Sequence, residues 1–293
     1  MRNLIWGISL IKYLGILGIV GLITHSEILR LFMMFWFLGI LEILLTFPIF
    51  FQSIKQIIGM MYVYAKQEIN LDKRRKIYKN EQSVQYRLPF EGEWVVVNGG
   101  ITKEESHSWL ITSQRFAYDF LILDNDGKSY SGPSKKLSSY YCYGKKILAP
   151  ADGIVVETGT ANKDSTIMGY GRADPTAKDL RGNYIVIQHT KEQYSVLAHL
   201  KPDSIVVRAG QVVKQGEHIA LCGNSGNTTE PHLHFQIQDG KSFFLSMGKP
   251  IKFSNIEKKI MINYSRYDKR RLFNRSGVET SGYVSRGMCV RNV

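Results

Sequence analysis

The sequence predicts an all-β domain of antiparallel sheets preceded by a two-helix transmembrane hairpin. Three observations predict it. Two long apolar runs fill the first 51 residues. From residue 86 onward, short β-branched runs are punctuated by Gly, Asn and Asp. No segment of helical period separates those runs, which argues for antiparallel pairing rather than alternating strand and helix. The 293 residues, 44% of them hydrophobic, allow one or two folding units, and 26 glycines fit a β-rich domain with many turns.

The hairpin occupies residues 1–51, with helices at about 3–24 and 28–51. Asn3 to Thr24 carries one charge, Lys12, and Ile28 to Phe51 carries only Arg30 and Glu42. Each run reaches the ~20 residues that cross a hydrocarbon core. A signal peptide is the rival for the first run, but its apolar region spans only about 7–15 residues before a cleavage site. This run is longer and leads at once into a second. Counted from the turn at His25 to Glu27, Lys12 and Glu42 lie at depths differing by roughly 4–5 Å at helical rise. Charges in a bilayer are costly and usually paired. A Lys12–Glu42 pair is expected, the competing reading being that Lys12 reaches the interface and Glu42 meets a partner protein.

Residues 52–85 read as a juxtamembrane helix and basic linker. "SIKQIIGMMYVYAKQEI" is helical in character but too short in its apolar part to span, and "DKRRKIYK", Asp72 to Lys79, follows it. Positive-inside logic places this flank, and with it the C-terminal domain, in the cytoplasm. The strand-forming segments "EWVVV", "RFAYDFLIL", "GIVVET", "NYIVIQHT", "QYSVLAHL", "SIVV", "HIALCG" and "HLHFQIQ" set the all-β domain at 86–255. Residues 256–293 read as a strand-forming basic C-terminal extension. Its charge suits anionic wall polymers or lipid headgroups, with a solvated face as the plain alternative. The net charge of +13 does not bring a nucleic acid into the expected partners. Cys142, Cys222 and Cys289 have no metal-type spacing, and their odd number argues against a disulfide framework.

The strongest chemical signal is "EPHLHFQIQ". His232 and His234 are two apart on a strand-like segment and share a face, while Phe235 and Ile237 point to the core. Neutral imidazoles side by side suit metal binding, although an HxH pair alone is weak. It does not stand alone. "YSVLAHL" places His199 at a strand end, the hairpin "RAGQVVKQGEHIA" follows, and "GNSGNTTEPHLHF" closes the pattern. Upstream, "ILAPADGIVVETG" and "GNYIVIQHT" supply a further strand pair.

This order of segments resembles the lysostaphin-type (LytM-type) zinc metallopeptidases, which cut cross-bridge peptides of bacterial peptidoglycan. The resemblance covers most of residues 86–250 and neither the hairpin nor the tail. It implies a lysostaphin-type barrel-sandwich with Zn2+ as cofactor, His234 and Asp119 as metal ligands, and His199 and His232 as the catalytic pair. Three protein ligands leave a fourth position open, where bound water reaches a pKa of about 7. The two imidazoles then stabilise an oxyanion or shuttle protons. His189 and His218 receive no catalytic role.

The sequence departs from the family at "SQRFAYDF". The family's first ligand usually stands four residues before the aspartate, where this chain has Arg115, which has no lone pair to give. Either the metal site is degenerate or another group completes it. The nearest candidate is His107, in "ITKEESHSWLITSQRFAYDF", carried back by a loop after "VNGG". Arg115 is then free to pair with Asp119 or to hold a substrate carboxylate through its planar fork.

The leading expectation is a membrane-anchored zinc endopeptidase acting on peptidoglycan cross-link peptides or a similar peptide. The alternative is a catalytically inactive family member that binds wall peptides or activates another hydrolase. A biotinyl- or lipoyl-type carrier module is set aside because no lysine sits at a tight hairpin tip. A wall hydrolase works outside the membrane, whereas the basic flank favours the cytoplasm. The domain is placed outside because long domains translocate despite flanking charge. A cytoplasmic domain that processes a peptide before export is the alternative.

Overall fold

The structure is a computed structural model that describes residues 1–69, 83–169, 171–272 and 282–293. The basic run expected at 72–79 lies outside the described residues.

The N-terminal segment folds as a helical hairpin. Its first arm is α1 (Arg2–Ile11), a 3-10 turn (Lys12–Leu14) and α2 (Gly15–Ile23). Its second arm is α3 (Glu27–Arg30), a 3-10 stretch (Leu31–Trp36) and α4 (Phe37–Leu45). Both arms, Arg2–Ile23 and Glu27–Leu45, are long and apolar enough to cross a membrane. The reversal is made by His25, at a left-handed φ of 54°, and by Ser26, which caps the second arm by accepting from the Leu29 amide. Lys12 Nζ donates to Glu42 Oε2 at 2.6 Å, so the expected pair forms. Gly15, Gly18 and Gly21 line the buried seam between the arms. An added Cβ would collide there with Trp36, Met33 and the backbone of Leu29 and Arg30 respectively. Small residues at such spacing let helices approach closely where no water drives them together.

The second arm ends at Leu45, earlier than the expected boundary at 51. Thr46 leaves helical geometry, at φ −109° and ψ 16°, and α5 (Phe47–Ile69) starts anew with Pro48 in its first turn, where proline is tolerated. The helix expected from residue 52 therefore begins inside the segment assigned to the hairpin.

The remaining described chain forms twelve strands. They are β1 (Trp94–Asn98), β2 (Tyr118–Leu121), β3 (Lys146–Leu148), β4 (Gly153–Gly159), β5 (Asn183–Thr190) and β6 (Gln193–Leu200), followed by β7 (Val212–Val213), β8 (His218–Leu221), β9 (Leu233–Gln238), β10 (Gly248–Lys249), β11 (Ile256–Ile260) and β12 (Met288–Asn292). The main sheet runs β11-β12-β1-β2-β9-β6-β5-β4-β7, with β10 also on β9, and β3 pairs β8 separately. All pairings between named strands are antiparallel. One face of β1, β2, β9 and β6 packs Tyr118, Phe120, Leu197, Leu233, Phe235 and Ile237 into the main core, so Phe235 and Ile237 face inward as expected.

One expectation needs correcting. Residues 256–293 are not an extension hanging from a domain that ends at 255. β11 and β12 complete the sheet edge beside β1, and Val284, Cys289 and Val290 are part of the core. The alternation that buries those residues is short and interrupted by charges, which hides it in the sequence. The three cysteines are all free and buried, as small hydrophobes are.

His189 sits at the end of β5, edge-on to Tyr86. Its Nδ1–H donates to the Asp152 carbonyl at 2.7 Å and its Nε2 accepts from Ser195 Oγ at 2.9 Å. Burial outweighs the Asp152 contact and holds its pKa below the usual value, so the folded protein keeps it neutral. The unfolded chain takes up this proton below about pH 6.5, so stability is full above that pH and falls as pH drops through it. His189→Gln is expected to show a shallower loss of Tm between pH 7 and 5 than the parent in thermal melts. In the hairpin, Gly18→Leu is expected to force the arms apart and abolish the cross-linking of a pair of cysteines introduced one into each arm.

Candidate active site

Register builds the centre of the site. Across β2, β9 and β6, Asp119 stands opposite His234 and His234 opposite Ala198. Opposed residues in an antiparallel ladder share a face, so Asp119 and His234 project together, and His232, two residues earlier, joins them. His199 follows Ala198 and in a continuing strand would face the other way. Its backbone instead adopts φ 61°, an uncommon conformation for a non-glycine residue. The turned imidazole lies with its ring centre 4.7 Å from that of His232 and 5.8 Å from that of His234.

A loop brings in His107. After Asn98 the chain passes through Gly99 and Gly100, at φ 115° and 155°, which side chains rarely permit. The buried Glu105 carboxylate then accepts from the Ile101 and Thr102 amides and from Thr102 Oγ1, closing the loop on itself. His107 Nδ1 thereby stands 3.6 Å from Asp119 Oδ2. Asn98, which pairs with Asp119 in register, donates its amide to the same oxygen at 3.0 Å.

Each ring of the inner cluster is fixed in one orientation. His199 Nδ1–H donates to the Ser225 carbonyl at 2.8 Å, and His232 Nδ1–H to the Glu230 carbonyl at 2.8 Å. Both therefore present Nε2 to the site, that of His232 lying 3.7 Å from Asp119 Oδ1. His234 is bonded on both sides: Nε2–H donates to Gln236 Oε1 at 2.9 Å and Nδ1–H donates to Asp119 Oδ1 at 2.9 Å. The amide of Gln236 donates to Gln238 Oε1, and Gln238 in turn to the Gly240 carbonyl, a fully buried polar ladder along one face of β9.

The electrostatics follow from this packing. Burial opposes ionisation of Asp119, yet the surrounding imidazoles of His107, His232 and His234 hold its carboxyl well below the usual range. Burial also disfavours charge on His234, but its bond to Asp119 raises its pKa. His199 is driven well below the usual value, by burial first and then by His232 and His234, and stays neutral.

His107, Asp119 and His234 suit a zinc ion by donor type. Gln236 accepts from Nε2–H of His234, so a metal ion replacing the Nδ1 proton would be held through Nδ1, the arrangement that outer hydrogen bonds impose on metal-bound histidines. Tetrahedral zinc with ligands at about 2.0–2.2 Å separates neighbouring donors by roughly 3.3 Å. The His234–Asp119 and His107–Asp119 separations of 2.9 and 3.6 Å bracket that value. Among the described residues no group of three or more His, Cys, Asp or Glu is arranged as it stands to hold a metal ion.

Arg115 goes elsewhere. It is buried, its Nε donates to the Trp109 carbonyl at 3.0 Å, and a terminal nitrogen donates to Tyr64 Oη of α5 at 2.7 Å. The guanidinium lies 5.3 Å from the centre of the Trp109 ring. The expected pairing with Asp119 is not formed. Arg115 is also not among the residues that line the cavity in front of Asp119, so direct contact with a substrate carboxylate is corrected to a contact with α5. The physical reason is local: residues 108–116 fold as turns that point the side chain at the helix before β2 begins. The cavity itself, about 560 Å³, is lined by His107, Asp119, His199, His232 and His234 and closed on one side by residues of α5.

Residues 137–245 match the sequence profile of Peptidase family M23. The chain carries a peptidase family M23 domain. It is 35% identical over 133 residues to the murein hydrolase activator NlpD of Salmonella dublin, covering 45% of this chain and 30% of that protein. It is 48% identical over 56 residues to the peptidoglycan DD-endopeptidase ShyB of Vibrio cholerae, covering 19% of this chain and 13% of that protein. A crystal structure of a zinc containing peptidase from Vibrio cholerae aligns with a TM-score of 0.34 at 23% identity, over 56% of this chain and 39% of that one. The chain thus spans less than a third of the length of these two curated relatives.

The profile match holds His199, His232 and His234 of the M23 domain, whereas Asp119 and His107 lie upstream of it. Sequence reasoning named those five residues and missed Asn98, Glu105, Gln236 and Gln238. Gln236 and Gln238 were visible in principle, since "HLHFQIQ" keeps polar residues on the histidine face. Asn98 and Glu105 carry no such period. Gln236→Leu is expected to leave His234 Nε2–H without its buried partner and cost about 1–3 kcal/mol of stability, read in chemical denaturation.

Proposed function

We propose that the protein is a membrane-anchored zinc metallopeptidase that hydrolyses peptide bonds of peptidoglycan or a related peptide. The observation that carries this reading is a matched pair of imidazoles: His199 and His232 both offer Nε2 to the space in front of Asp119 and His234, each with Nδ1–H held by a backbone carbonyl. A binding-only domain has no use for two imidazoles poised to take protons beside a buried ligand set. The endopeptidase named among the relatives supports peptidoglycan peptide as substrate.

In this reading His107, Asp119 and His234 hold the zinc ion, which supplies Lewis acidity toward the scissile carbonyl and toward water. His199 is neutral in the folded protein and accepts a proton at Nε2 as water attacks. The proton taken at His199 Nε2 is then given to the leaving amine, directly or by way of Nε2 of His232 beside it. Asn98 holds Asp119 Oδ2 and so keeps the carboxylate oriented. Arg115 serves the site at one remove, by holding α5.

The two apolar helices serve as the anchor. A hairpin returns both ends to one side, and Arg2 Nε bonds Asp174 Oδ2 at 2.6 Å, which keeps the chain start against the domain on that side. A wall substrate places the domain outside the cytoplasm. The second reading, an inactive member that activates another wall hydrolase, is favoured by the likeness to the murein hydrolase activator.

Metal analysis of the purified full chain is expected to find about one zinc per chain, lost in His107→Ala and retained in Arg115→Ala. Incubation with purified peptidoglycan is expected to release soluble peptide fragments, and neither His199→Ala nor His232→Ala should do so. Absence of zinc from the unaltered protein would sink the enzyme reading. Stoichiometric zinc with no cleavage would favour the activator.

A further inference from the structure

The M23 domain does not form the cavity before Asp119 by itself. Ser53, Gln56, Ile57 and Met60 of α5 line it together with the histidines. Their spacing of i, i+3, i+4 and i+7 puts them on one face of the helix. An adjacent stripe docks α5 to the domain. Gln52 donates to the Lys178 carbonyl at 2.7 Å and accepts from the Leu180 amide at 3.0 Å. Gln114 reaches Gln56 Oε1 at 3.4 Å, and Val63 packs with Met247. At Gly59 the helix comes so close that an added Cβ would collide with the Phe244 carbonyl. Arg115 fastens the far end through Tyr64.

We propose that α5 is the second wall of the substrate cleft, and that Ser53, Gln56, Ile57 and Met60 contact the bound peptide. This rests on the peptidase reading above. The alternative, a plug that blocks the site, fits the geometry less well. A plug fills its cavity or gives a group to the catalytic residues. Here about 560 Å³ stays open between helix and sheet. The hydrogen bonds described for Asp119, His199, His232 and His234 all come from within the β domain. That volume is in the range of ordinary ligand sites and takes a short stretch of extended peptide. The wall also has the right chemistry: a hydroxyl and an amide to meet peptide groups, and two aliphatic side chains to cover their apolar neighbours.

The matched pair Ile57 and Ile58 makes the test. They are 57% and 59% exposed, but only Ile57 lines the cavity. All three native cysteines are buried, so single Ile57→Cys and Ile58→Cys variants of the full chain in detergent carry one accessible thiol each. Maleimide labelling is followed with and without disaccharide-peptide fragments of purified peptidoglycan, whose binding is measured in the same samples by fluorescence anisotropy. At ten times the dissociation constant, labelling of Ile57→Cys is expected to slow roughly tenfold and that of Ile58→Cys to stay unchanged. Bound fragments that leave Ile57→Cys as reactive as before, or that protect both positions alike, would overturn the wall while leaving the peptidase reading intact. Fragments that do not bind at all would overturn both.

Discussion

A carboxylate buried among imidazoles is the interaction on which this site depends. Asp119 is only 6% exposed, and an unpaired charge there would be severely penalised. It is kept ionised by His234, His107 and His232 and by the amide of Asn98. Those partners come from a loop and two strands that have to meet within hydrogen-bonding reach. The register of β2 against β9, the left-handed turn at His199 and the glycine-led loop to His107 are the means by which they do.

The polar ladder behind His234 extends the same logic. A buried imidazole that faces a carboxylate on one side needs an acceptor on the other, and Gln236 provides it. Gln236 then needs its own partner, which Gln238 supplies, and the demand ends at a loop carbonyl. Partly satisfied networks of this kind are costly, whereas complete ones fix a single arrangement. The strand thus carries His234 near one end and its hydrogen-bonded support along the same face.

Arg115 turns away from the carboxylate four residues on. A guanidinium beside Asp119 would compete with the imidazoles and repel a cation. Turned onto Trp109 and Tyr64, it ties the β domain to the helix that follows the hairpin. The hairpin is consolidated by its own close contacts, the Lys12–Glu42 pair and the glycine seam, and Arg2 joins its start to the 161–181 loop. The N-terminal segment therefore meets the β domain at Arg2 and along α5, at Gln52, Gln56, Val63 and Tyr64.

Much was legible along the chain because it is written in local pattern. The apolar runs set the two helices, the β-branched runs set the strands, and the two-residue period of "HLHFQIQ" set which side chains face the site. The Lys12–Glu42 pair followed from counting residues outward from one turn. The loop that returns His107 could be named as a candidate but not placed, because its path depends on Glu105 binding amides that no period announces. The role of Arg115, the entry of residues 256–293 into the sheet and the presence of α5 along the cavity were decided only by tertiary structure. Each is a contact between segments far apart in sequence, and long-range packing leaves no repeat in either partner. By itself the sequence determined which residue types could meet and, for His232 and His234, which face they share, since strand parity fixes that. Only the folded chain decided what surrounds those residues, since the neighbours of a buried charge are chosen by three-dimensional proximity.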